Sequence, residues 1–217
     1  GIVVDPDVDR LCFISEDGTP FGEEYTLVAV AEYVLSVKPG NTVSNLSSTR
    51  ALADVTRKAG GDYFAAAVGE VNVVTQMKAV NAIIGGEGNG GVIFPESHYG
   101  RDSLVGIGLF LTHLANKGIK ASELRASYPA YVISKNKIEL SADLNVDLIL
   151  ATVAEKYKNE NVNTIDGVKI DFPDRWVHLR KSNTEPIIRI YAEASSEAEA
   201  DTLAQQIIHV IEEIAKV

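Results

Sequence analysis

Residues 42–68, TVSNLSSTRALADVTRKAGGDYFAAAV, decide the architecture. Positions 42–46 read as a strand, Ser47 or Ser48 can cap a helix over 49–59, Gly60-Gly61 ends it, and 63–68 reads as a second strand. A helix inserted between two strands is the crossover that joins parallel neighbours in one sheet. The same rhythm continues outward. Upstream, apolar residues take helical spacing over 25–37 until Pro39-Gly40 stops them; downstream come a helix over 72–82, the short apolar pair Ile83-Ile84, a glycine-rich loop over 85–91, a strand over 92–94 and a helix over 102–116. This predicts a three-layer α/β domain with a mixed, mostly parallel sheet. After Gly118 the pattern changes. A short helix and linker over 120–137 lead to a helix over 143–158, three β-rich segments over 168–172, 176–181 and 187–194, and a closing helix over 196–216. Strands separated by tight turns and flanked by helices predict a small α+β domain with an antiparallel sheet, the boundary falling near 118–122.

The 217 residues carry a formal net charge of −10, which repels nucleic acid and anionic membrane surfaces at long range. An anionic substrate therefore has to be held by a local cluster of positive groups. Cys12 is the single cysteine, which excludes an intrachain disulfide or a cysteine metal site and points to a reducing, cytoplasmic setting. No apolar run approaches the length of a membrane span, and no signal peptide opens the chain. Ile2-Val3-Val4 reads as a strand cut off at its start.

Behind that strand lies Asp5-Pro6-Asp7-Val8-Asp9-Arg10. Carboxylates at every second position of an extended loop face one way and repel one another unless a cation sits among them. All-oxygen ligands suit Mg²⁺ or Ca²⁺, and Arg10 beside the cation could grip a phosphate oxygen. Three other readings compete. An EF-hand loop matches Asp5, Asp7, Asp9 and Glu16 in count, but Arg10 stands where that loop needs glycine. A dehalogenase-type phosphatase also places Asp-x-Asp after a strand, although Val8-Asp9 replaces the Gly-Thr that should follow. A solvated acidic turn is the simplest alternative.

Two further loops carry chemistry. Arg180-Lys181-Ser182-Asn183-Thr184-Glu185-Pro186 gathers a guanidinium, an ammonium, two hydroxyls and an amide, the donor set that a tetrahedral phosphate uses; an ordinary polar hairpin is the alternative. In Gly85-Gly86-Glu87-Gly88-Asn89-Gly90-Gly91 the side chains are too few for a packing element and the glycine spacing is not that of a dinucleotide fingerprint. Glu87 and Asn89, two apart, can face neighbouring hydroxyls, as a sugar would require; a surface loop is the alternative.

Taken together, Asp5 to Arg10, the Val68-Gly69-Glu70 turn, Gly86 to Gly91 and Arg180 to Pro186 stand in the order and approximate spacing of the α-D-phosphohexomutases, and the chain resembles the C-terminal half of that four-domain family. The resemblance implies that residues 1–20 end the second domain with its metal loop, 21–121 form the third and 122–217 the fourth. It further implies a phosphoryl shuttle: a phosphoserine passes its group to a hexose phosphate, the bisphosphate reorients, and the other phosphate returns to the serine. Asp5, Asp7 and Asp9 would bind Mg²⁺, Arg10 would contact the transferring group, Glu87 and Asn89 would hold sugar hydroxyls, and Arg180, Ser182, Asn183 and Thr184 would grip the non-reacting phosphate. The partners implied are the hexose phosphate and the missing N-terminal domains, since nothing here matches the family's serine loop and Ser97-His98 lies in the wrong context for it. Without the serine this polypeptide alone should not turn over. Gly91 departs from relatives that carry a histidine there, and Glu70 occupies a turn where others carry an acid–base group, although a solvated glutamate explains it equally well. His113, His178 and His209 read as packing or surface residues. A non-catalytic sugar-phosphate module and a Mg²⁺-dependent phosphatase with Asp5 as nucleophile stay as alternatives.

Overall fold

A computed structural model describes residues 1–139, 144–182 and 187–215. It divides into two compact units, Gly1–Pro129 and Ala130–Val217.

The first unit opens with an antiparallel pair, β1 (Ile2–Val4) and β2 (Leu11–Phe13), with Val3 opposite Cys12. Helix α1 (Glu23–Val37) follows, then β3 (Asn41–Asn45), α2 (Ala51–Lys58), β4 (Tyr63–Ala66), α3 (Glu70–Ala79), β5 (Ala82–Glu87), β6 (Gly91–Ile93), α4 (Ser103–Lys117) and α5 (Ala121–Ala126). Strand order is β4-β3-β5-β6, with β3 parallel to both neighbours and β6 antiparallel to β5, so the sheet is mixed and mostly parallel. The connection β3–α2–β4 runs to one side and β4–α3–β5 returns to the other. Right-handed crossovers therefore place α2 and α3 on opposite faces, which makes the three layers. Helix α1 is buried continuously from Tyr25 to Ala31 because α2 and α4 flank it and β5 lies against it. On the other face Val73 and Met77 of α3 pack on Val43, Ala66 and Ile93.

Two local expectations are revised, and the division of the chain has a local cause. Ser47 and Ser48 do not cap α2, whose N-cap is Arg50 with no side-chain bond; the Ser48 hydroxyl instead donates to Asn45 Oδ1 at 3.0 Å and accepts from Gly88 N at 2.9 Å. The segment 85–91 is no bare loop. Gly85 to Glu87 end β5, Gly91 opens β6, and the turn between them is packed: a Cβ on Gly88 would lie 1.9 Å from Glu24 Oε2, and Gly90, at φ +88°, would meet Leu11 O at 2.2 Å. Finally, compactness divides the chain after Pro129, beyond the 118–122 segment, because α5 is held to α1 and the start of the chain. Leu124 is fully buried, the Tyr128 hydroxyl donates to Glu32 at 2.6 Å, Tyr25 donates to Pro129 O at 2.5 Å, and the Arg125 guanidinium lies 3.4 Å from the Tyr25 ring centroid.

The second unit comprises β7 (Val132–Glu139), α6 (Val146–Lys156), β8 (Asn161–Asn163), β9 (Val168–Asp171), β10 (Trp176–Lys181), β11 (Ile187–Ala194) and α7 (Glu197–Ala215). Its sheet, ordered β7-β11-β10-β9-β8, is antiparallel throughout. Part of the segment read as a linker is thus strand β7. Val168, Ile170, Val177, Leu179, Ile188 and Ile190 form a core with Ile149 and Val153 of α6 and Leu203, Ile207 and Ile211 of α7. Strand alternation puts Trp176, His178 and Glu193 on the opposite face, where Trp176 Nε1 donates to Glu193 Oε1 at 2.6 Å. No described helix is long and apolar enough to cross a membrane.

Candidate functional site

Between β1 and β2 the acidic segment is a turn, not an extended run. Val8 N donates to Asp5 O at 3.0 Å and Val8 stands at φ +57°, a conformation rarely adopted by a β-branched residue. The turn nevertheless brings the carboxylates together: Asp5, Asp7 and Asp9 offer one oxygen each within 4.8 Å of one another. Two backbone bonds fasten it to the body of the unit, Leu11 N to Gly90 O at 3.1 Å and Ser103 N to Val8 O at 3.3 Å. The first seats the acidic turn beside the glycine hairpin, which is why the close Gly90–Leu11 approach matters. An open cleft of about 340 Å³ is lined by Asp5, Arg10, Glu23 and Asn89 over a floor of Val3, Val4, Leu11 and Cys12.

Within the turn the three acids differ. Although partial desolvation raises the Asp5 carboxyl, donors from Arg10 N, Arg10 Nε and Asp9 N outweigh it and hold the pKa at about 2. Desolvation pushes Asp9 upward; Arg101 opposes that shift, and Asp7 and Asp5 add to it. Asp9 Oδ2 pairs with Arg101 Nη2, whereas Asp9 Oδ1 is buried without a hydrogen-bond partner, 3.6 Å from Arg10 Nε. A carboxylate with one oxygen left without a hydrogen bond, in a cluster of three acids that bring an oxygen each within 4.8 Å, suits a hard divalent cation, so the residues present fit such an ion.

Glu87 and Asn89 leave their shared hairpin in different states. Asn89 is exposed, its Oδ1 accepting from Gly91 N at 3.2 Å. Glu87 is buried and satisfied: Oε1 accepts from Asn45 Nδ2 at 2.9 Å and Gly69 N at 3.1 Å, and Oε2 from Arg101 Nη1 at 3.0 Å. Gly69 precedes α3, so Glu87 also sits at the positive end of that helix. Glu70, the first residue of α3, accepts from Arg101 N at 3.1 Å and lies 3.3 Å from Arg101 Nε.

In the second unit, Arg180 is near the end of β10, its Nε in an ion pair 2.8 Å from Asp166 Oδ2 but without the alignment of a hydrogen bond. Ser182 N donates to Ile187 O at 3.0 Å across the hairpin. Asn183 and Thr184 lie outside the described residues. His178, two residues before Arg180, is buried beneath this region; desolvation drives it down to about 4 despite its contact with Asp166 O at 2.7 Å. Among the other histidines named in the sequence, His113 is buried and His209 exposed.

Residues 22–131 match the family model for phosphoglucomutase/phosphomannomutase alpha/beta/alpha domain III, and residues 135–210 match that for the C-terminal domain. The chain belongs to the phosphoglucomutase/phosphomannomutase family. It is 37% identical along its whole length to a phosphoglucomutase/phosphomannomutase of Thermococcus kodakarensis, covering 48% of that protein. It is 32% identical over 97% of its length to a probable phosphoglucosamine mutase of Methanopyrus kandleri, covering 47% of it. The structure of a phosphoglucomutase/phosphomannomutase family protein from Burkholderia thailandensis superposes with a TM-score of 0.82 at 29% identity, matching 100% of this chain and 46% of that one. The chain thus spans about half the length of the family members it matches.

Arg101 is the residue at this site that sequence reasoning missed. It stands just before the α4 cap, Asp102, whose Oδ1 accepts from Val105 N at 3.0 Å, and nothing in its local sequence differs from an ordinary helix approach. The available signal was global: in a phosphoglucomutase/phosphomannomutase chain this rich in acids, a cation between the glycine hairpin and a helix start has carboxylates to meet.

Proposed function

We propose that the chain is the C-terminal half of a phosphohexomutase, moving a phosphoryl group between the 1 and 6 positions of glucosamine, mannose or glucose phosphate through a phosphoserine and a bisphosphate. In this reading residues 1–20 close the second of four domains, the body of the first unit is the third, and the second unit is the fourth. The observation that carries it is the cleft in which Asp5 of the three-acid turn, Arg10 and Asn89 meet. Asp5, Asp7 and Asp9 would hold Mg²⁺, which when bound supplies positive charge beside the transferring phosphoryl oxygens. Arg10 contacts that phosphoryl group. Asn89 donates to and accepts from sugar hydroxyls, and Glu87, whose two oxygens are taken up by Asn45, Gly69 and Arg101, serves the sugar indirectly by fixing the hairpin that presents Asn89. Arg180, which pairs with Asp166, would grip the non-reacting phosphate, with Ser182, Asn183 and Thr184 completing the shell.

The reading also places the protein in the cytoplasm with its free Cys12 reduced. It makes the chain dependent on upstream domains that bring the serine. A nucleophilic Asp5 is disfavoured, because both its oxygens are engaged by Arg10 and Asp9 donors.

The test joins this chain to the upstream part of its gene product and assays interconversion of the three hexose phosphates with Mg²⁺. Activity in the joined protein, none in the 217-residue chain alone, and a loss of about 100-fold or more for Arg10→Ala is the expected pattern, the size being that of a lost charge contact made in the transition state. Phosphate release by the chain alone that Asp5→Asn abolishes, or an upstream sequence without a serine loop, overturns it.

A further inference from the structure

We infer that Arg101 is the positioning residue that ties the acidic turn to the glycine hairpin, holding Asp9 in its cation-ligating orientation; this rests on the reading of Asp5, Asp7 and Asp9 as cation ligands. Three carboxylates from three separate segments meet this one guanidinium. Nη2 pairs with Asp9 Oδ2 from the turn, Nη1 donates to Glu87 Oε2 at the end of β5, and Nε faces Glu70 Oε2 at the start of α3, 3.3 Å away. The backbone is pinned as well: Arg101 pairs with Ile93 in a β-bridge, its own N–H binds Glu70 Oε1, and Asp102 N donates to Val92 O at 2.9 Å. The side chain is only 19% exposed, so these charges interact with little solvent between them.

The geometry separates the two oxygens of Asp9. Oδ2 is committed to Arg101, and Oδ1 is left buried, without a hydrogen bond, on the Arg10 side. An outer partner that fixes one oxygen of a carboxylate orients the other toward a metal. A lysine could neutralise the same charge but cannot bridge, since its single ammonium lacks the planar fork that reaches Asp9 and Glu87 at once. Space for the fork is provided by Gly91, where a Cβ would stand 2.5 Å from Arg101 Cδ. Gly91 and Arg101 therefore form one structural unit.

The sign of the effect discriminates. A guanidinium acting only as a competing positive charge weakens cation binding, so that its removal tightens it; a positioning guanidinium does the reverse. Mn²⁺ binding to the purified chain, followed by loss of the free-ion electron paramagnetic resonance signal, is compared for the unsubstituted protein, Arg101→Lys, Arg101→Ala, Gly91→Ala and Asp7→Asn, with circular dichroism to verify folding. Expected is a loss of affinity of about 10-fold or more in both Arg101 variants, the size seen when an outer-shell partner of a ligand is removed. Gly91→Ala, which displaces the guanidinium without deleting it, shifts affinity the same way. Full affinity in Arg101→Lys, or tighter binding in either Arg101 variant, overturns the positioning role alone. No Mn²⁺ binding that Asp7→Asn removes from the unsubstituted chain overturns the cation reading and this inference with it.

Discussion

Val8, Glu32, Gly91 and His178 show how single residues set the behaviour of the two units. Gly91→Ala forces a Cβ against Arg101 Cδ, so it should destabilise the chain by about 1–3 kcal/mol, as overpacking does; in an Arg101→Ala background the same substitution should be close to neutral. A double-mutant cycle by urea denaturation reads this coupling, and additive effects would show that the two side chains do not compete for space. Glu32 is the half-buried acceptor for three donors. His113 Nε2, the Tyr128 hydroxyl and Lys117 lower its pKa to about 2, outweighing desolvation. A carboxylate depressed in the folded state stabilises it above the unfolded pKa of about 4.5 and loses that contribution as pH falls toward 2. The strained Val8 was not legible from the sequence, since the acidic spacing looks the same in an extended strand as in a turn; the convergence of the three acids was legible, although by a different backbone route. Arg101 was hidden for the opposite reason, because its importance lies in partners 92, 31 and 14 residues away in sequence, at Asp9, Glu70 and Glu87.

At the level of elements, periodicity identified those with a buried face. Helix α7 repeats Ala200, Leu203, Ala204, Ile207, Val210 and Ile211 at helical spacing, and all six are buried. Truncating its centre, Ile207→Ala, should cost about 2–5 kcal/mol by chemical denaturation. A cost below about 1 kcal/mol would mean that α7 is not seated on the sheet as described. Strand β7 was hidden because its sequence, VISKNKIE, has no buried position: it is an edge strand studded with lysines, and such strands are kept polar to discourage pairing with other chains. Strand β8, three residues long, is too short to carry a pattern. The glycine segment misled for a related reason, since glycines demanded by close backbone packing look the same in sequence as glycines left free for a ligand. Gly90→Ala should therefore destabilise the first unit by about 1–3 kcal/mol through its positive φ and the Leu11 contact, with thermal melting as the readout.

Across the whole molecule, the division after Pro129 gives each unit its own core and its own response to acid. His178 is held down to about 4 mainly by burial, so it favours the folded second unit above the unfolded value of about 6.5 and the contribution is lost as pH falls from there to 4. Glu32 yields in the first unit only between about 4.5 and 2. Probes placed separately, Trp176 fluorescence for the second unit and amide exchange of α1 for the first, should show the second weakening at the higher pH, and His178→Gln should remove that early phase; simultaneous loss in both would contradict independent cores. The order of the second sheet has a consequence for synthesis. β7 leaves the ribosome first, yet its neighbour is β11, the last strand made, so the nascent chain must carry an unmatched ribbon until residues 187–194 emerge. Its lysines then act as a safeguard in translation, and a message cut short before that strand would release a product with a permanently open flank.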